Sequence, residues 1–172
     1  MAKKIFGLKA VLMGDPAADG DMGTTLTELL GATVKGSASL IYTEPSTEDI
    51  EVEEVDAAFD TLLTQSGKWE LNLESYNVSA KTLGDVCGGT YTAGTSGAPD
   101  TWEGDDVVFI EKSVECETRN GVKIALPRVK ILARPQFNLD KAQLGRLSVK
   151  GTGLPPTKAG VKTVKFTDAP AT

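Results

Sequence analysis

The sequence predicts a mainly β domain, an antiparallel β-sandwich or half-barrel of about eight strands with one flanking α-helix and long loops or arms. Three observations predict it. Short runs alternate apolar and polar residues with a period of two. Clusters of Gly, Pro, Asn and Asp separate those runs. One stretch, Ser79–Cys87, carries a narrow apolar stripe at helical spacing with capping residues at both ends. The chain has 172 residues, an ordinary length for one domain. Residues 1–157 read as that domain and residues 158–172 as a C-terminal arm or extra strand.

Lys4–Met13 is the first predicted strand. Gly14–Gly23 contains three glycines, a proline and three aspartates and reads as a loop. Thr24–Leu30 fits either one helical turn or the lead into a strand. Val34–Tyr42 alternates and predicts a strand with one wet face, and Thr43–Thr47, with Pro45 inside it, predicts a turn. Asp49–Val55 sets Ile50 and Val52 against Glu51 and Glu53. Asp56–Gly67 fits a short helix or a long hairpin arm. Lys68–Tyr76 puts Trp69, Leu71 and Leu73 on one face and Lys68, Glu70, Asn72, Glu74 and Tyr76 on the other.

Asn77 or Ser79 can cap the predicted helix and Gly88-Gly89 can end it; Gly84 weakens it by roughly 1 kcal/mol against alanine. Gly88–Gly104 reads as a long glycine-rich loop. Val107–Thr118 predicts a strand with Val108, Ile110, Val114 and Cys116 facing Glu111, Ser113, Glu115 and Glu117 across the pleat. Val107 and Phe109 sit on its second face. Arg119-Asn120-Gly121 predicts a hairpin turn. Val122–Ala133 returns as its partner, with a bulge or edge expected at Pro127, where the alternation shifts. Leu144–Lys150 is the last core strand, with Leu147 and Val149 inward, and Gly151–Thr157 is expected to break it. Val161–Phe166 reads as an added strand on a neighbour or a loose tail.

Composition narrows the function classes. The chain has no histidine, so Ser-His-Asp and Cys-His catalysis and His-ligated metal sites are excluded. Cys87 and Cys116 are 29 positions apart, form no CxxC pair, and are expected to be free thiols in apolar niches. The N-terminal stretch lacks the long apolar core and small-residue cleavage site of a signal peptide, which predicts folding in a cytoplasm. Asp15, Asp19 and Asp21 do not match the spacing of an EF-hand loop, and Gly20–Thr25 lacks the lysine of a phosphate-binding loop. The strand carboxylates have the spacing of an exposed face rather than of an acid–base pair. No catalytic residue, metal or cofactor is expected.

Charge is divided along the chain. Residues 1–122 hold 22 acidic and 8 basic side chains, a balance of −14, and residues 123–172 hold 2 acidic and 10 basic, a balance of +8; together they give the net charge of −6. Between Gly36 and Gly67 there are eight acidic side chains and no basic one. The distribution fits two solvated faces of opposite sign. It also fits copies of one chain attracting each other head to tail, the geometry that closes rings or propagates filaments. The basic residues lack interleaved aromatics, so a stable nucleic-acid interface is not expected.

In order along the chain, several segments resemble the tail tube (major tail) proteins of tailed bacteriophages: EDIEVEEV (Glu48–Val55), GKWELNLESYNVSAKTLGDVCGG (Gly67–Gly89), the paired VVFIEKSVECET and GVKIALPRVKILA, and LGRLSVKGTGLP (Leu144–Pro155) after the polar stretch Asn138–Lys141. The resemblance runs from about Val34 to Thr157 and rests on patterns rather than invariant motifs. It implies a β-sandwich or half-barrel with one helix, shared with the type VI secretion tube protein. It implies hexameric rings stacked into a tube in the virion tail, assembled in the host cytoplasm, whose acidic lumen passes DNA without sequence-specific binding. The partners it implies are further copies of the chain and the tape measure, terminator and baseplate components; a membrane is not among them.

On that resemblance, Glu51, Glu53, Glu70, Glu74, Glu111, Glu115 and Glu117 are candidate lumen residues. Asp15, Asp19, Asp21, Phe59, Leu62, Tyr91 and Trp102 lie in candidate ring-stacking loops. Lys123, Arg128, Lys130, Arg134, Arg146 and Lys150 form a candidate basic contact surface. Two other readings fit the same residues. One is a terminator or baseplate ring protein on the same fold. The other is a β-sandwich module that binds glycans or proteins through Trp102, Tyr91 or Tyr42.

Overall fold

In the computed structural model, which describes residues 4–104, 106 and 108–169 and leaves the side chains of Val55 and Asp56 aside, strands follow one another with one helix between them. In chain order they are β1 (Leu8–Gly14), β2 (Ser39–Thr43), β3 (Ser46–Val52), β4 (Val55–Gln65), β5 (Lys68–Ser75), α1 (Ala80–Cys87), β6 (Thr90–Thr92), β7 (Thr101–Glu103), β8 (Ile110–Thr118), β9 (Lys123–Gln136), β10 (Arg146–Gly153) and β11 (Lys165–Thr167). The fold is mainly β and antiparallel, with one flanking helix and no barrel closure, as the alternation predicts. The strands beyond the expected eight are β4, from the segment left open between helix and hairpin, and the short pair β6–β7 inside the glycine-rich stretch.

The main sheet runs β1-β8-β9-β10-β5-β2, and β11 pairs with β9 beyond the end of β10. Its inner face is built by the period of two. One row crosses the sheet as Ile110, Ile131, Gly151, Leu71 and Leu40. Met13, Val114, Leu126, Val129, Ala133, Leu147 and Val149 are buried on the same side. Leu83, Val86 and Cys87 of α1 and Leu30 of the preceding loop complete that core. The sheet curls, so Leu40 and Leu71 from one end line an apolar cavity of about 310 Å³ together with Val11, Cys116 and Ile124 from the other.

Local chemistry accounts for several boundaries. Ser79 caps α1, its Oγ accepting from the Thr82 amide, and Gly88 ends it at φ +80°. Gly84, unfavourable in a helix, lets Tyr91 approach: an added Cβ would lie 2.8 Å from the Tyr91 Cβ. Arg119–Gly121 forms the β8–β9 turn, closed by Thr118 N donating to Val122 O. At Pro127 the β8–β9 register shifts between Lys112 and Val114. Pro127 has no amide to donate, and the Ser113 hydroxyl instead donates to its carbonyl at 2.6 Å. Ser113 is therefore fully buried rather than on the wet face with Glu111 and Glu115.

Other expectations are corrected. β1 begins at Leu8 rather than Lys4, because the chain turns at Gly7, whose carbonyl accepts from Arg119 N. Residues 34–37 form a turn, so β2 begins only at Ser39; Ser37 N donates to Val34 O and the Ser37 hydroxyl accepts from Glu74 N. Thr24–Leu30 is neither helix nor strand: Met13 and Thr27 exchange both backbone bonds and Leu30 enters the core. β10 runs on through Gly153. Gly151 and Gly153 do not break the strand; they leave room for Val129 and Leu71, and for Trp69 and Leu126. β11 pairs with this chain's own β9, Lys165 opposite Ala125, rather than lying loose. β8 begins at Ile110 rather than Val107: Val108 and Phe109 precede it and are exposed, and Val107 lies outside the described residues.

Candidate assembly surfaces

The outer face of the sheet carries both charge signs. β8 supplies Glu111, Glu115 and Glu117, and the neighbouring β9 supplies Lys123, Arg128 and Lys130, so antiparallel pairing sets them side by side. Glu111 takes two bonds from Arg128, at 2.8 and 2.9 Å, which hold its carboxyl below the ordinary glutamate range. Glu115 pairs with Lys123 at 2.9 Å, Glu117 with Lys9 at 2.8 Å, Glu74 with Arg146 at 3.3 Å and Glu70 with Lys68 at 3.0 Å. The Lys9 ammonium lowers the Glu117 carboxyl, and the Lys68 ammonium lowers that of Glu70. Lys130 stands over the Phe109 ring, its Nζ 4.4 Å from the centroid. Arg134 and Lys150 are exposed on β9 and β10.

The two charge blocks of the sequence are thus not two separate surfaces here. Three of the six candidate contact residues, Lys123, Arg128 and Arg146, are ion-paired to candidate lumen residues. Glu51 lies on β3, outside the main sheet, and Glu53 lies in the β3–β4 turn rather than on a strand.

The β3–β4 hairpin is a different kind of surface. It forms its own two-stranded sheet, Thr47 opposite Leu63 and Asp49 opposite Thr61. The 11 residues of β4 extend over roughly 35 Å, and the ribbon has no extensive packing on any other strand or helix of the described residues. Phe59, Leu62, Leu63 and Ile50 are exposed along it, Phe59 at 68%. Two-stranded hairpins are marginal in water without a packing partner, and exposed apolar side chains in such numbers mark interaction sites.

The remaining candidates have local partners. Asp19 and Asp21 both accept from the Lys158 ammonium at 2.8 Å, which lowers both carboxyls and raises Lys158 above the ordinary lysine range. Asp15 accepts from Lys112 at 2.7 Å. The aspartate loop is therefore held by ammonium groups, and it ties the C-terminal segment to the domain. Tyr91 donates to Asp100 at 3.0 Å, and Trp102 donates its indole N–H to Gly88 O at 2.8 Å. Trp102 is half-buried, packed against the core cluster beside α1.

Cys87 and Cys116 are free and buried, and burial pushes both thiols up to about 11. No group of three or more Cys, Asp or Glu among the described residues is arranged to hold a metal ion.

Sequence reasoning missed one surface. The β9–β10 connection, residues 137–145, exposes Phe137, Leu139 and Leu144, with Leu139 96% accessible. Its signal was present as three large apolar residues inside a polar turn segment, FNLDKAQLG. Compared with known proteins, the chain matches no family model and no curated sequence.

Proposed function

We propose that this chain is a structural subunit of a bacteriophage tail tube, forming hexameric rings that stack into a tube through which DNA passes at ejection. One observation carries the reading: an acidic ribbon with exposed Phe59, Leu62 and Leu63 extends from the sheet and has no extensive packing on any other strand or helix of the described residues. Such a ribbon gains its packing only from another molecule. The antiparallel sheet with one flanking helix is the fold that the resemblance implies.

On this reading the sheet's polar outer face is the candidate bore lining. Unpaired cations would hold phosphates by counterion release. Here Lys9, Lys68, Lys123, Arg128 and Arg146 each sit against a carboxylate. The expected lining is a lattice of ion pairs, less acidic than the sequence alone suggests.

The test compares the whole chain with a variant in which Ser46–Gln65 is replaced by a short Asn-Gly turn. Negative-stain microscopy of the concentrated whole chain should show rings or tubes of uniform bore. The variant should stay folded and lose them. A whole chain that sediments as a monomer at every concentration and salt overturns the proposal. Rings that never stack point instead to a terminator or baseplate component.

A further inference from the structure

We infer that the β9–β10 tip of one copy receives the β3–β4 arm of the next, making a head-to-tail contact between the two ends of the sheet. The inference rests on the self-assembly reading above and names the surface that the arm would meet.

Register places the two surfaces. The arm returns into the sheet at Lys68, the first residue of β5. The tip joins the sheet at the other end of that strand, where Ser75 pairs with Leu147 and Arg146 pairs with Gln136. The eight residues of β5 separate the two by roughly 23 Å along the strand. That length of strand keeps the base of the arm apart from the tip within one copy. A contact between them therefore joins two copies through different patches, which is heterologous and propagates or closes a ring.

Chemistry matches the two. The arm segment 46–65 holds seven acidic side chains and no basic one. The tip and the strand ends that carry it, residues 134–146, hold Arg134, Lys141 and Arg146 and one acidic side chain, Asp140; Arg146 is already paired with Glu74. Both carry large exposed apolar groups: Phe59, Leu62 and Leu63 on the arm, and Phe137, Leu139 and Leu144 on the tip. Opposite potentials steer the encounter and fix its register, and the apolar groups supply the buried centre. The cavity lined by Ile5, Phe6 and Leu40 is the competing acceptor; its neighbourhood holds Lys9, Lys35 and Arg119 beside Glu28, with Lys9 already paired to Glu117, and cross-linking separates it from the tip.

The test uses the full chain with single added thiols, since Cys87 and Cys116 are buried. Leu62→Cys and Leu139→Cys proteins are mixed under assembly conditions, oxidised and run on a non-reducing gel. A covalent dimer that forms in the mixture, at least tenfold above either variant alone, supports the contact. As a second measurement, Arg134→Glu with Lys141→Glu should abolish stacking, and adding Glu48→Lys with Asp60→Lys should restore it.

Assembly of the parent chain without this cross-link overturns the inference and leaves the tube reading standing. So does preferential cross-linking of Leu62→Cys to Phe6→Cys. A mixed dimer that forms while microscopy shows open filaments that never close into rings supports the contact and overturns the tube. A parent chain that stays monomeric throughout overturns both.

Discussion

Gly151→Ala tests the packing of the sheet at its centre. Gly151 lies between Ile131 and Leu71 in the row that crosses the inner face. A Cβ added there would sit 2.7 Å from Val129 Cγ1 and 3.4 Å from Leu71 Cβ. Val129 is fully buried and stiff at χ1, so its methyl cannot swing away cheaply. Overpacking of this kind costs about 1–3 kcal/mol. Replacing glycine within a strand returns about 0.5–1 kcal/mol through the unfolded chain. Steric crowding wins, and the net loss is about 1–2 kcal/mol, which lowers Tm by about 2–8 °C for a domain of this size.

The decisive measurement is a double-mutant cycle by urea unfolding. Val129→Ala alone removes two buried methyl groups and costs about 1.5–3 kcal/mol. It also removes the atom that the methyl added at position 151 would strike. The double variant should therefore be more stable than the sum of the two losses by about 1 kcal/mol or more, well above the additivity error for independent sites. A neutral Gly151→Ala, or losses that simply add, refutes the claim that this glycine is there to admit its neighbours.

Three further outcomes follow from the local chemistry. Ser79→Ala removes the helix cap and should cost about 1 kcal/mol, read as a lower urea midpoint with an unchanged slope. Alkali should destabilise the fold through its thiols: the folded values near 11 exceed the ordinary 9.0, so their stabilisation is complete below pH 9.0 and is lost as pH rises towards 11. Cys87→Ala with Cys116→Ala should flatten that stretch of the stability–pH curve. Asp19→Asn with Asp21→Asn frees Lys158 and should speed amide exchange in β11; acidification below the ordinary 3.8 acts in the same direction, because both carboxyls are lowered in the folded chain. Unchanged exchange in β11 would show that the latch does not hold the C-terminal segment.

Much of the fold was legible because it rests on nearest-neighbour chemistry. Trp69, Leu71 and Leu73 alternate with polar residues and do face inward. Ser79 and Gly88 bracket the helix, Asn120-Gly121 turns the chain, and Pro127 marks the bulge. Each of these depends on dihedral preference or on an amide within a few positions. Gly151 and Gly153 read as a breaker because their usefulness lies in Val129, Leu71, Trp69 and Leu126, up to 84 positions away. Leu30 looked uncommitted because no periodicity surrounds it, yet it fills the core beside Ser75, whose hydroxyl donates to its carbonyl.

Charge shows the same division most plainly. The strand alternation, the capped helix, the absence of histidine and the −14 and +8 halves are all written in the order of residues. Where those charges meet is a matter of folding. Antiparallel pairing of β8 with β9 brings Glu111 to Arg128 and Glu115 to Lys123, so blocks far apart in the chain neutralise each other on one face. The β3–β4 arm lies outside the main sheet and carries no basic residue of its own, so strand pairing sets no cation beside its carboxylates. Linear order records which side chains exist; the register of the strands, a long-range property of chain pairing, sets which of them remain uncompensated.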